Sequence, residues 1–136
     1  PLDGLIGAAL HLPPWAVDLA LLLLRVMMAA VFGTSGWAHL TRSQERAESI
    51  GMSPAATAAL GAVEVAGAAL ILVGLFTQAA AAVLVVVMVG AVGKKLFVWK
   101  SGLWGSKGDG WYYDMLYLVC NLVIVTTGGG RFVLRA

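Results

Sequence analysis

Charge is scarce in this sequence. Asp, Glu, Lys and Arg make up 12% of its 136 residues, while 60% are hydrophobic and the mean hydropathy is +0.90. A soluble domain carries about a quarter charged residues, so this chain has too little polar surface to cover itself in water and reads as a membrane protein. The one cysteine, Cys120, excludes an internal disulfide, a CxxC redox pair and a cysteine-ligated iron–sulfur cluster. Histidine is nearly as scarce: His11 and His39 stand at opposite ends of the first apolar run, too far apart to clamp a haem and too few for a metal cluster. A net charge of +2 without any basic run argues against a nucleic-acid partner.

What is there in abundance is apolar sequence of bilayer length. A hydrocarbon core of about 30 Å needs roughly 20 residues of helix at 1.5 Å each. Residues 15–37, 54–76, 79–99 and 111–127 come near that length, the last being the shortest. The pattern predicts an all-α fold, an integral membrane antiparallel four-helix bundle in a single membrane domain. Ser53 followed by Pro54 marks a helix start, Thr77 and Gln78 are left as the turn between the second and third spans, and Gly128 to Gly130 end the fourth. The first span exceeds the 7 to 15 residues of a signal-peptide core and reads as a retained helix, and the preceding PLDGLIGAALHLP is expected at the interface or loosely ordered.

Four spans place both termini on one side. The loops after spans one and three carry Arg42, Arg46, Lys94, Lys95, Lys100 and Lys107, against Arg131 and Arg135 on the other side. The positive-inside bias therefore puts the two basic loops in the cytoplasm and both termini on the outer face. Trp99, Trp104, Trp111, Tyr112 and Tyr113 gather at the basic boundary as an aromatic belt. Lys94 and Lys95 read as snorkelling anchors there, or one of them as a partner of Asp114.

Two charges lie deeper. Arg25 falls near the middle of the first span and Glu64, in GAVEVAGAALILVGLF, near the middle of the second. Each alone costs about 2.5 to 3.5 kcal/mol at the bilayer centre, whereas a pair at about 4 Å attracts by roughly 4 kcal/mol at an effective dielectric of 20. Antiparallel neighbours would hold them at one depth, so an Arg25–Glu64 ion pair is expected, with Asn121 completing a polar centre and Asp114 as the second intramembrane acid. Asp18, Arg25 and Phe32 recur at seven-residue spacing, and Thr57, Gly61, Glu64, Ala68, Ile71 and Gly74 form the facing stripe. The pair admits two readings, a device that fixes helix register or a site for ligand or proton handling. His39 likewise reads as an interfacial residue or as a hydrogen-bond partner for a quinone carbonyl.

The segments LRVMMAAVFGTSGWAHL, IGMSP, VEVAGAALILVGLFTQAAA and TGGGRFVL, in this order, resemble the DoxX family of small four-helix membrane proteins, over about Leu23 to Leu134. The resemblance implies a bacterial cytoplasmic-membrane protein, and it points to Arg25, Gly36 and Glu64 as family positions. Similar members include a subunit of a thiosulfate:quinone oxidoreductase. Two functions follow as expectations. One is a membrane subunit of a quinone-linked redox complex, with no intrinsic cofactor but a bound quinone. The other is a non-catalytic accessory or scaffold subunit. Membrane lipids and other membrane subunits, in a hetero-complex or homo-oligomer, are the expected partners. A transporter fits less well, since four helices leave little room for two-sided access.

Overall fold

The computed structural model describes residues 12–105 and 110–134. The N-terminal segment through His11, residues 106–109 with Lys107, and Arg135 lie outside the described residues, and with them the expectation of an interfacial N-terminal segment. The described chain is helical: α1 (Trp15–Thr41), α2 (Ser43–Ile50), α3 (Pro54–Val73), α4 (Thr77–Gly93), which runs on through a π-helical turn at Lys94–Val98, and α5 (Tyr112–Thr127). Three helical stretches, Trp15–Thr41, Pro54–Val73 and Thr77–Val98, are long and apolar enough to cross a membrane, and α5 is a shorter apolar helix. This is a multi-pass membrane protein.

Local chemistry explains most of the helix ends. The Ser53 hydroxyl accepts the Ala56 N–H at 3.1 Å, and Pro54 occupies the first turn of α3, where a missing N–H costs nothing. The same helix stops at Gly74, which adopts φ +77° and donates to the Leu70 carbonyl at 2.9 Å. The turn between α3 and α4 is thus Gly74, Leu75 and Phe76, whereas Thr77 and Gln78, expected as the turn, are already helical. At the other end α1 continues past Trp37 to Thr41 before the short polar helix α2 begins.

α1 and α3 run in opposite directions with their backbones nearly touching. A Cβ added at Gly36 would stand 2.8 Å from both the Glu64 Cβ and the Gly61 carbonyl, and one at Gly61 would stand 2.6 Å from the Gly36 carbonyl. Small residues allow this approach, which is how helices gain packing in lipid, where no hydrophobic drive brings them together. The expected stripe on α3 is buried at Thr57, Gly61, Glu64, Ala68 and Ile71. α4 and α5 form the second closely packed pair, tied by Gln78, which donates to the Val125 carbonyl at 2.7 Å. The core between the pairs holds Phe32, Ala68, Ile71, Leu84 and Ile124.

The Gly36 crossing gives a graded test. Gly36→Ala is expected to destabilise the protein by about 1 to 3 kcal/mol through overpacking. Gly33→Ala, whose new methyl would meet the Ala68 Cβ at an ordinary 3.8 Å, should be neutral or stabilising by up to about 1 kcal/mol. Denaturant unfolding in detergent micelles measures both, and equal effects would refute the close crossing.

Candidate functional site

Arg25 and Glu64 do not meet. Gly36 faces Glu64 across the crossing, and Arg25 lies eleven residues earlier on α1, roughly 16 Å along the axis at 1.5 Å per residue. The expected pair rested on equal distance from the ends of spans 15–37 and 54–76. The real register follows the glycine crossing instead.

Arg25 serves the opposite end of the molecule. Its Nε donates to the Ile71 carbonyl at 2.8 Å and its Nη2 to that of Leu72 at 3.0 Å. Nη1 donates to the carbonyls of Phe132 at 2.6 Å and Gly129 at 3.4 Å. The last carbonyls of a helix have no partner within it and form the negative end of its dipole, so a buried cation is stabilised there. Glycines make the room: a Cβ at Gly74 would come within 2.6 Å of Nη2, and one at Gly129 within 2.9 Å of Cδ. Arg25 thus closes the C-terminus of α3 and binds the tail after α5, which returns to donate from Leu134 to the Val73 carbonyl.

Glu64 meets α1 through other groups. Its Oε1 lies 3.1 Å from His39 Nδ1, close though out of line for a hydrogen bond, and Ser35 lines the same cavity. Ser35 and His39 are one turn apart on the same face of α1. His39 is 5% exposed, and both of its ring nitrogens are buried without a hydrogen-bond partner.

His39 and Glu64 line a cavity of about 820 Å³ between the two helix pairs. Lys95, Tyr113 and Asp114 line it from α4 and α5, and Phe32, Leu60 and Met88 supply apolar wall. The cavity reaches the lipid-facing surface at Val86, which is 71% exposed. Lys95 Nζ lies 2.6 Å from Asp114 Oδ2 and 3.8 Å above the Tyr113 ring, and it donates to the Tyr113 hydroxyl and to the Gly110 carbonyl at 3.3 Å. Lys94 donates to the carbonyls of Ile50 and Gly51 and so ties the end of α2 to α4. Both lysines are therefore engaged by protein groups, and Tyr113 lines the cavity while its ring keeps an edge contact with that of the exposed Tyr112, centroids 5.4 Å apart.

Of the five expected site residues, His39, Glu64 and Asp114 line the cavity and Arg25 and Asn121 do not. Asn121 is fully buried, donates to the Tyr117 carbonyl at 2.8 Å and lies 3.8 Å from Met28 Sδ. It completes no centre with Glu64 and Arg25. Ser35, Tyr113 and Arg46 line the cavity without having been singled out. The four-residue step from Ser35 to His39 was the available signal for the first.

The DoxX family model matches residues 20–99, which takes in most of α1 and all of α2, α3 and α4. No curated protein and no solved structure matches the chain.

The two fates of Arg25 and Glu64 separate cleanly by mutation. Arg25→Gln leaves up to four carbonyls short of a donor and should cost about 2 to 4 kcal/mol in detergent unfolding. The exchange Arg25→Glu with Glu64→Arg should be at least as unstable. Recovery of wild-type stability by that double variant would restore the direct pair.

Proposed function

The chain belongs to the DoxX family of membrane proteins, and from that premise we propose that it is a membrane subunit of a redox complex whose cavity takes the headgroup of a quinone. The four apolar helices cross the bacterial cytoplasmic membrane as an antiparallel four-helix bundle, with α2 and the basic loop at the cytoplasmic side and the termini outside. The observation that carries the reading is the buried His39 on the wall of a mostly apolar cavity, neither ring nitrogen having a hydrogen-bond partner and Nδ1 standing 3.1 Å from Glu64 Oε1, where a small turn of the ring would close the bond.

That pairing fixes what Nε2 can do. When Nδ1–H points to a Glu64 carboxylate, the neutral ring offers Nε2 as an acceptor, suited to a quinol hydroxyl. When Glu64 carries the proton and donates to Nδ1, Nε2–H becomes a donor, suited to a quinone carbonyl. Moving the Nδ1 proton to Glu64 while Nε2 takes up one further proton exchanges the two recognition states without turning the ring. Quinol oxidation releases two protons and two electrons. His39 accepts the first proton at Nε2, the second is released to water, and the two electrons pass to an electron-accepting partner subunit. The opening beside Val86 gives a lipid-soluble ring a lateral path.

The contrasting reading is an accessory subunit whose polar groups only fix packing, and it draws support from Arg25, Lys94 and Lys95, all engaged with protein groups. Titration of the detergent-solubilised protein with decylubiquinone, followed by melting temperature, separates them. The wild type should be stabilised, and Glu64→Gln or His39→Phe should weaken binding about tenfold, the equivalent of about 1.4 kcal/mol, with the ligand-free melting temperature little changed. A wild type indifferent to the quinone leaves the accessory role standing.

A further inference from the structure

The lining of the cavity carries three cations, Arg46, Lys94 and Lys95, and two carboxylates, Glu64 and Asp114. Lys95 is matched by Asp114, and Lys94 is engaged with the carbonyls that end α2. Arg46 has no such arrangement. Its Nε is buried with no hydrogen-bond partner, and among the described residues no carboxylate lies within ion-pair distance of it. A guanidinium keeps its proton in any protein setting, and a buried one needs an anion or acceptor. Arg46 as a whole is half-buried, and of its donors Nε is the one known to be enclosed without a partner, which an anion at the cavity mouth would supply.

The surroundings narrow what that is. Arg46 sits on α2, the polar helix SQERAESI, and Ser49 from the same helix also lines the cavity. A polar helix between two spans lies at headgroup level, where anionic lipids concentrate. The planar guanidinium fork matches phosphate oxygens two at a time. From Arg46 the wall continues through Val31, Leu60 and the lipid-exposed Val86, a surface suited to an acyl chain.

We propose that Arg46, with Ser49 beside it, binds the phosphate of an acidic phospholipid at the mouth of the cavity, one acyl chain lying along the apolar wall. This mouth and the His39–Glu64 pole involve different residues, so the lipid assignment does not depend on the quinone reading.

The test is native mass spectrometry of the delipidated full chain titrated with phosphatidylglycerol, phosphatidylcholine or inorganic phosphate. Phosphatidylglycerol should bind in preference to phosphatidylcholine. Arg46→Gln should weaken it about tenfold, Arg46→Lys, which keeps the charge and loses the fork, about threefold, and Arg42→Gln, on an exposed residue of the same basic segment, should leave it unchanged. If Arg46→Gln does not fold, the Arg46→Lys and Arg42→Gln pair decides. Equal binding of the two lipids overturns the proposal, as does an equal loss in Arg42→Gln, which would mean a diffuse surface charge. Arg46-dependent binding of inorganic phosphate with no lipid preference also overturns it, assigning the site to a free oxyanion.

Discussion

The contact between Gly36 and Gly61 is the constraint on which the rest of this structure depends. Each glycine leaves space that the backbone of the other helix occupies, so the relative height of α1 and α3 is set by steric fit and not by charge. Once that height is fixed, every other residue on the two helices has an assigned neighbour. Glu64 lies at the crossing itself and takes Ser35 and His39 from the turns around Gly36. Arg25, three turns away, arrives where α3 ends. A lipid environment makes such a contact decisive, because apolar side chains gain nothing from leaving hydrocarbon and close backbone packing is what remains.

The cations show a second regularity. In lipid, unpaired carbonyls at a helix end are nearly as costly as an unpaired charge, and the two defects cancel when they are brought together. Arg25 resolves the end of α3 and Lys94 the end of α2. The expected acid–base pair of α1 and α3 is therefore replaced by cation–carbonyl contacts, with a true ion pair formed elsewhere, between Lys95 and Asp114. An arginine facing helix carbonyls keeps its charge stabilised without bringing a carboxylate into the membrane, which avoids the desolvation cost of a second ion.

The helical class, the membrane setting and the buried stripe of α3 were legible in the sequence, because they depend on local quantities: apolar length, the Ser53–Pro54 start and the spacing of Gly61, Glu64, Ala68 and Ile71. The partners of the charges were not legible. Counting from span ends assumed that α1 stops near Trp37 and α3 near Phe76, whereas α1 reaches Thr41 and α3 yields to Gly74 at Val73. Those few residues move each midpoint by only about two positions; what breaks the pairing is the Gly36–Gly61 crossing, which sets Gly36 rather than Arg25 against Glu64. The triple glycine at residues 128–130 read as a helix stop, which it is, but its left-handed φ values and missing side chains also admit the Arg25 side chain. That second role involves residues more than a hundred positions apart, and no local pattern carries it. Asp114 with a lysine was foreseeable because both lie at one boundary, where the connecting loop limits how far apart they can be.

The cavity follows from the same packing logic. Glycines draw α1 onto α3, and α4 joins α5 through Gln78 and the Lys95–Asp114 pair. Toward the turn end the two pairs are filled by Ile71, Leu84 and Ile124, all fully buried. Toward the loop end polar side chains line the space, and their close contacts lie within one pair: Glu64 3.1 Å from His39, Lys95 against Asp114 and Tyr113. Neither group bridges to the other pair, so the space between them stays open. The asymmetry of the described chain, sealed at Arg25 and hollow at His39, thus follows from where its hydrogen bonds are closed, and it leaves an imidazole with two unpartnered nitrogens on the wall of a cavity wide enough for a ligand.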